Sequence, residues 1–381
     1  MTRGSITRRG KKSWRLKFET GTDPLTGERQ TAYVTVRGTR REAQEELTRR
    51  LHALDSGTFV EPTKTTLAEW LDQWFVDQHS LSGKTRERYG ELIAGQIKPH
   101  LGRVLVQKIR PAQIKAWHGT LLREGGAKGG PLAPRTVGHA HKVLAKALAD
   151  AMRLELVPRN VAAAVPAPKV EARELEILSE VQIAAVTSSL RGLPIYPVAA
   201  LALASGMRRG ELLALRWSDV DFDGGKVRVE RSLEETAKGL RFKPPKTKHG
   251  RRAISLPASA LEMLRDHRRA HLEWRLRHAM GKLPDDALVF PGADDAPRAP
   301  SGLTREWRQV VTAKGLPRVS FHALRHSHAS MLIAASVDVL TVSRRLGHGS
   351  PSITLGVYAH LFSNTDDRAA SAIDATLGEL S

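Results

Sequence analysis

Ser205-Gly-Met-Arg-Arg-Gly-Glu-Leu-Leu-Ala-Leu-Arg-Trp-Ser-Asp-Val220 follows an apolar run with helical spacing and sets two arginines between glycines, with a carboxylate directly after the second glycine. Taken alone, Arg208 and Glu211 are three residues apart and can be an ion pair on one helix. Three further clusters follow along the chain: Pro245-Lys-Thr-Lys-His-Gly-Arg-Arg252, His322-Ala-Leu-Arg325, and Leu346-Gly-His348 with Tyr358 ten residues later. Each has an ordinary structural reading. His322 and Arg325 share one helical face, His348 beside Gly347 can cap a helix, and Tyr358 can be a buried aromatic in a chain with four tyrosines. The order and company of all four clusters decide between these readings.

Around the clusters, helices are expected over 179–190 and 197–217, strands near 226–231 and 252–256 flanking a loop dense in Lys and Arg, and broken helix from 259 onward. Upstream, Pro166-Ala-Pro168 and the charged residues to Glu176 read as a linker. Residues 67–165 are almost wholly helical in pattern. Tyr89, Leu92, Ile93 and Ile97 fall on one face that Pro99 should end, and Ile114, Trp117 and Leu121 form a second stripe. After Pro134, Val137, Leu144, Leu148 and Ala151 mark a buried side, while Arg135, His139, Lys142 and Lys146 leave a basic side for phosphates.

The run Glu61-Pro-Thr-Lys-Thr-Thr66 is a further linker. Before it, Trp14-Arg-Leu-Lys-Phe18 and Thr31-Ala-Tyr-Val-Thr-Val36 alternate as strands of a hairpin, and Thr39 caps a helix to about residue 54. Arg8, Arg9, Lys11 and Lys12 precede Trp14. This mixture either enters a DNA groove or is a solvated arm with Trp14 in a small core. The expected fold is multidomain and mainly α: a small β-sheet plus helix over 1–62, a helical domain over 63–166, and an α+β domain over 167–381 that ends in a tail.

A chain of 381 residues with 41% hydrophobic content can core several domains. Sixty Lys and Arg against forty Asp and Glu give a formal charge of +20, which points to a polyanion and first to nucleic acid. Cysteine is absent, which excludes disulfides, thiolate nucleophiles and Cys-based zinc sites. The basic N-terminus lacks an apolar signal core, and no window approaches the roughly 20 apolar residues of a membrane span, so a soluble cytoplasmic protein is expected. No phosphate-binding Gly-x-x-x-x-Gly-Lys-Ser/Thr loop or acidic magnesium cluster is evident. His322 and His326 have a spacing zinc can use, but Arg325 stands between them and the Glu of a His-Glu-x-x-His motif is missing. No metal or other cofactor is expected.

In this order the clusters resemble the catalytic domain of the tyrosine recombinases, the family of phage integrases and chromosome-dimer resolvases. Residues 205–220 are similar to its first arginine box, His322-x-x-Arg325 to its second, and Leu346-Gly-His-Gly-Ser-Pro-Ser-Ile-Thr-Leu-Gly-Val-Tyr-Ala-His360 to its third box with the nucleophile. Gly356 departs from the pattern, where a bulkier residue is usual. The resemblance extends to a helical, SAM-like core-binding domain and to the N-terminal arm-site domain of integrases from phages and integrative elements. It implies a site-specific recombinase that cuts and rejoins DNA through a 3′-phosphotyrosyl bond to Tyr358, with Arg208, Lys246, His322, Arg325 and His348 as its other catalytic residues.

The residue types suit that chemistry. Guanidinium forks match the oxygens of a five-coordinate phosphorane, the role of Arg208 and Arg325. His348 can donate to a non-bridging oxygen, and by resemblance His322 assists as a donor or as acceptor of the tyrosine proton. A phenol of ordinary pKa ~10 is a poor nucleophile, so a cationic pocket should favour its phenolate. Resemblance favours Lys246 over Lys248 as the acid for the leaving oxygen, although alternation does not separate them. Lys248, Arg251 and Arg252 are expected on phosphates, with Arg8, Arg9, Lys11, Lys12, Trp14, Lys142 and Lys146 as further DNA contacts.

The implied partners are double-stranded DNA at core and arm-type sites, gripped between the two larger domains, and a homotetramer on synapsed DNA, with room for a DNA-bending or directionality factor. The tail stripe Ala372, Ile373, Leu377 and Leu380 would dock on a neighbouring protomer. Two rival readings are a relaxing topoisomerase of similar residue set and a DNA-binding regulator without catalysis.

Overall fold

Alternation in the first strands puts Trp14, Leu16 and Phe18 on one face and Arg15 and Lys17 on the other. In the computed structural model, which describes residues 4–22, 26–126, 129–171, 175–245, 248–362, 370–371 and 373–374, these residues belong to a three-stranded antiparallel sheet. Its strands are β1 (Gly4–Gly10), β2 (Ser13–Thr22) and β3 (Arg29–Arg37), in that order. The expected hairpin is β2–β3, and β1 is an addition to it. Ile6 is its one large apolar residue, so β1 carries little hydrophobic periodicity and is held by its ladder to β2. Helix α1 (Arg40–Asp55) starts at Thr39, whose hydroxyl accepts from the Glu42 amide while the Glu42 carboxylate accepts from the Thr39 amide. Leu16, Phe18, Ala43 and Leu47 form the small core between sheet and helix.

The helical segment follows as α2 (Leu67–Val76), α3 (Gly83–Leu92), α4 (Lys98–Leu101), α5 (Pro111–Glu124) and α6 (Pro134–Arg153). Pro99 does not end the helix that contains Tyr89 and Leu92. A π-helical turn over Ile93–Ile97 links α3 to α4, and Pro99 sits in the first turn of α4, where a missing N–H costs little. Trp117 Nε1 on α5 donates to the Gln96 carbonyl of that turn at 2.8 Å. Trp70, Trp74, Ile97, Ile114, Trp117, Leu121, Leu144 and Leu148 share one core. Chain contacts divide the molecule into the compact units Met1–Glu171 and Ala172–Ser381.

The second unit opens with α7 (Glu180–Leu190), α8 (Tyr196–Ser205) and α9 (Arg209–Leu212). The single helix expected over 197–217 is broken at Gly206, which adopts the left-handed φ of 65°. A Cβ there would come 2.5 Å from Cδ2 of His328, so the position needs glycine for both conformation and space. Strands β4 (Val220–Asp221), β5 (Lys226–Val229), β6 (Ser232–Thr236), β7 (Gly239–Lys243) and β8 (Arg252–Ser255) follow. They form an antiparallel sheet β4-β5-β8 and a separate β6–β7 hairpin. The two expected strands, β5 and β8, pair directly.

Helices α10 (Ala258–Arg277), α11 (Pro300–Ala313), α12 (Ala323–Ala334), α13 (Val339–Leu346) and α14 (Pro351–Tyr358) complete the unit. Its main core includes Val186, Leu201, Leu212, Val227, Ile254, Leu264, Trp307 and Leu324. A smaller cluster of Ala329, Ile333, Val342, Leu346 and Tyr358 ties α12, α13 and α14 together. No helix among the described residues is long and apolar enough to cross a membrane.

Candidate active site

Two helices of the second unit end alike. Gly206 closes α8 and Gly347 closes α13, both left-handed, with φ of 65° and 68°. Such ends leave backbone carbonyls without helical partners and concentrate the negative pole of each helix there. Arginines occupy these poles. Arg325, buried in the first turn of α12, donates from Nη1 to the Gly206 carbonyl at 2.6 Å and from Nη2 to the Leu346 carbonyl at 2.8 Å. Arg208, at the start of α9, donates from Nη2 to the Gly347 carbonyl at 3.1 Å and from Nη1 to Glu211 at 2.9 Å. Arg345 donates to the carbonyls of Ala204 and Ser255 and to Nε2 of His328.

Glu211 is buried and joins this cluster from both sides. Its second oxygen accepts from Arg252 Nη2 at 2.9 Å, while Arg252 Nε donates to the Arg345 carbonyl at 2.7 Å. Burial alone would raise the Glu211 carboxyl. Arg252, the Arg208 amide and the Arg208 charge together hold it below the ordinary carboxylate range. Arg252 is therefore not the outer phosphate contact expected from the sequence. Its place at the start of β8 points it into the cluster, and a guanidinium taken from water here needs the carboxylate. Its neighbour Arg251 is the exposed one, with a side chain 64% accessible and 3.7 Å from Glu230.

Crowding of cations acts on Arg325 itself: burial first, then Arg208, pushes its pKa down to about 9, still protonated at neutral pH. His348 stands beside it. Arg325 Nη2 donates to His348 Nε2 at 3.0 Å, so the lone pair lies on Nε2, and Nδ1 is left to donate to the Thr354 hydroxyl at 2.8 Å. His348 thus accepts where a donor to phosphate was expected. Burial, followed by Arg325, Arg208 and Arg252, pushes its pKa down to about 4.

Tyr358 ends α14 and is only 1% exposed. Its hydroxyl lies 2.7 Å from Nδ1 of His326, one turn along α12 from His322. His322 is at the exposed start of α12, its ring set edge-on to that of His326 at 4.8 Å. Resemblance leaves His322 as a donor or as acceptor of the tyrosine proton, and the side chain at the phenol is His326. The expected lowering of the phenol is also reversed. Burial pushes Tyr358 up to about 12, outweighing the opposing charge of Arg325. A Cβ at Gly356 would meet nothing within 4 Å, so packing does not demand glycine there.

Lys246 lies outside the described residues, as does the side chain of Lys248 and, in the tail, Ala372, Leu377 and Leu380. In the first unit Trp14 faces the small core, its Nε1 donating to the Gly38 carbonyl at 3.0 Å, with Arg8 packed on its ring. This is the small-core placement, with the ring partly buried. The opposite face of the sheet carries Arg15, Lys17 and Arg37 around Tyr33, which is 59% exposed. Period-two alternation contained this answer, since residues of odd number there cannot face the core with Leu16 and Phe18. Arg9, Lys11 and Lys12 are exposed, as is Lys142 on α6. Lys146 is instead half-buried, donating to Gln78 at 3.1 Å and lying over the rings of Trp74 and Tyr89.

Comparison with known proteins adds the following. Residues 176–365 match the phage integrase family, and residues 66–122 match the phage integrase N-terminal SAM-like domain. A XerC-like tyrosine recombinase of Caldanaerobacter subterraneus is 27% identical over 88% of this chain and 90% of its own. The ICEBs1 integrase of Bacillus subtilis is 26% identical over 94% of this chain and 95% of its own. Among solved structures, the Tn1549 transposon integrase in complex with a circular intermediate DNA matches 82% of this chain and 100% of its own, with a TM-score of 0.68 at 18% identity. A lambda integrase from a tetramer bound to a Holliday junction matches 91% of this chain and 96% of its own, with a TM-score of 0.53 at 21% identity.

The Glu211 bridge sets a stability prediction. Glu211→Gln leaves Arg208 and Arg252 without their shared counter-charge in a buried site and should destabilise the second unit by about 3–5 kcal/mol. Urea unfolding followed by tryptophan fluorescence measures this, and an unchanged midpoint would show that the bridge carries no such load.

Proposed function

The chain belongs to the phage integrase family, and from that premise we propose how its residues divide the work of a tyrosine recombinase, which breaks and rejoins DNA strands without metal or ATP. The carrying observation is the pairing of Arg208 and Arg252 with one carboxylate, Glu211, beside a third cation, Arg325, whose charge also reaches Tyr358. That is a surplus of positive charge in a partly water-free pocket, the environment a phosphorane with its added negative charge requires. Arg208, whose side chain is 40% exposed, and Arg325 receive the non-bridging oxygens. A phosphate oxygen that takes over the Arg325 Nη2 hydrogen bond releases His348 Nε2 to bind a proton and donate in turn.

In this reading the Tyr358 oxygen bonds to phosphorus as the bond from phosphorus to the 5′-oxygen breaks. The leaving oxygen takes a proton from Lys246, and the phosphotyrosyl ester keeps the energy for rejoining to another strand. Arg252 positions Glu211 and thereby Arg208, and His322, at the rim, contacts the backbone of the bound strand. Each unit supplies its own DNA contacts, the first through Arg9, Lys11 and Lys12, the outer sheet face of Arg15, Lys17 and Arg37, and Lys142, the second through Lys248 and Arg251, all acting mainly by phosphate neutralisation. Residues 1–62 serve arm-type sites, 63–166 the core site, and 167–381 catalysis by four protomers on two synapsed duplexes in the cytoplasm. A relaxing topoisomerase or a regulator without catalysis is not favoured, because both family matches are to integrases.

Four outcomes test these assignments. With supercoiled plasmids carrying the DNA that flanks the coding sequence, wild-type protein should exchange strands at one site pair. Tyr358→Phe should bind the same DNA yet form no detergent-resistant adduct, with or without chelator, and an adduct of normal yield in this variant sinks the assignment of the nucleophile. Deleting residues 1–62 should spare cleavage of a short core duplex while abolishing integration; a truncated protein that integrates at full rate contradicts the arm-site assignment. Lys246→Ala should lose roughly 10² to 10⁴ in cleavage of normal DNA. It should recover near wild-type rate on DNA with sulfur in place of the bridging 5′-oxygen, because a thiolate leaves without a proton. Recovery by Lys248→Ala instead transfers the role to Lys248.

A further inference from the structure

The contact between His326 and Tyr358 has no part in the assignments above. Among the described residues, the hydrogen-bond partner of the Tyr358 hydroxyl is Nδ1 of His326 at 2.7 Å, and the two rings are tilted with centroids 5.8 Å apart. Neither other histidine of the site is so placed. His348 Nε2 accepts from Arg325 and its Nδ1 meets Thr354, while His322 is edge-on to His326 at the exposed start of α12. Resting on the reading of Tyr358 as nucleophile, we propose that His326 is the base that takes the phenolic proton as Tyr358 attacks phosphorus, and returns it when the strand is rejoined.

The atoms balance. The O–H bond of Tyr358 breaks, its proton goes to the lone pair on His326 Nδ1, and the electron pair left on oxygen forms the bond to phosphorus. In rejoining, a 5′-hydroxyl displaces the phenolate, and the His326 imidazolium protonates it. The surroundings favour a neutral ring before attack. Burial, then the Arg325 charge, hold His326 below the ordinary imidazole range against the opposing pull of Glu176. The charged and titratable groups around it are Arg325 and His322 on its own helix, Glu176 ahead of α7, His348 beyond α13 and Tyr358 on α14. Because burial lifts the phenol to about 12, a free phenolate before attack is a rare species. Proton transfer concerted with formation of the oxygen–phosphorus bond avoids that species, and it requires an acceptor already in contact.

A purely structural contact would only hold the phenol in place, and one substitution separates the two roles. In His326→Asn the side-chain oxygen stands near the former Nδ1 and accepts the same hydrogen bond, but it has no useful basicity; His326→Ala removes both functions. The measurement is single-turnover cleavage of a nicked suicide duplex built on the plasmid site that wild-type protein cleaves, with DNA binding followed by gel shift and folding by near-ultraviolet circular dichroism.

Both variants should bind normally and cleave roughly 10² to 10⁴ times more slowly. Wild-type cleavage should be flat above the His326 range and fall as pH drops through it, whereas the variants should accelerate roughly tenfold per pH unit from neutral pH toward the phenol range. Trifluorotyrosine at position 358, which ionises more easily, should restore much of the lost rate in either variant. Cleavage by His326→Asn close to wild type reduces the contact to an anchor and overturns the proposal. Faster cleavage in either variant overturns it too, making His326 a restraint. A loss that trifluorotyrosine does not relieve also refutes it. An error in the nucleophile itself would appear separately, as adduct surviving in Tyr358→Phe.

Discussion

The active cluster depends on guanidinium groups seated on the carbonyl ends of two helices. At Gly206 and Gly347 the chain turns left-handed, the last carbonyls of α8 and α13 are exposed to the interior, and Arg325 bridges both ends at once. A cation at a helix C-terminus is stabilised by the helix dipole, and the benefit grows out of water. This is how a chain with a formal charge of +20 can bury arginine beside arginine. Moving either glycine would cost more than a turn. At Gly347 a Cβ would come 2.8 Å from Arg252 Nη1, and at Gly206 it would strike His328, so both ends are fixed by conformation and by the packed cations.

That seating divides the positive charge into two kinds. Arg252, Arg325 and Arg345 spend their donors on backbone carbonyls, on Glu211 and on His328, so they are preorganised and cannot be moved by a surface ligand without loss. Arg208 is the intermediate case. Glu211 and the Gly347 carbonyl orient one side of its fork, while its half-exposed remainder can meet a phosphate. The surface cations, Arg15, Lys17, Lys142 and Arg251 among them, contribute through the screened field outside the protein.

Much of this was legible in the sequence, and the failures have identifiable causes. Cap and stripe reading located α1, α6 and α7, because Thr39, Pro134 and Ser179 carry local signals whose geometry needs no distant partner. The long helix over 197–217 was misread since Gly206 looks like any tolerated helical glycine until His328, more than a hundred residues away, occupies the space of its missing Cβ. Pro99 misled for the opposite reason: a π turn, invisible to a 3.6-residue period, absorbed it. Arg252 was counted with its neighbours as a phosphate contact, whereas partner choice across β8, α9 and α13 is a tertiary fact. His326 was seen only as a possible metal spacing, because helical periodicity places it one turn from His322 but says nothing of where α14 lands.

The state of Tyr358 ties these parts together. A phenol raised to about 12 and almost wholly buried holds its proton firmly, and burial is the main cause. The same Arg325 that opposes this rise also holds His348 in an accepting state. Under the proposed assignments, arrival of a phosphate changes several groups together. It draws on the donors of Arg325, releases the His348 lone pair for protonation, and adds negative charge that raises the proton affinity of the surrounding imidazoles. His348, His326 and Tyr358 all feel the charge of one guanidinium, so the proton affinity of each depends on where that charge sits. An arginine fixed to two helix ends couples the fold to the chemistry, since any movement of α8 against α13 alters the charge that the tyrosine experiences.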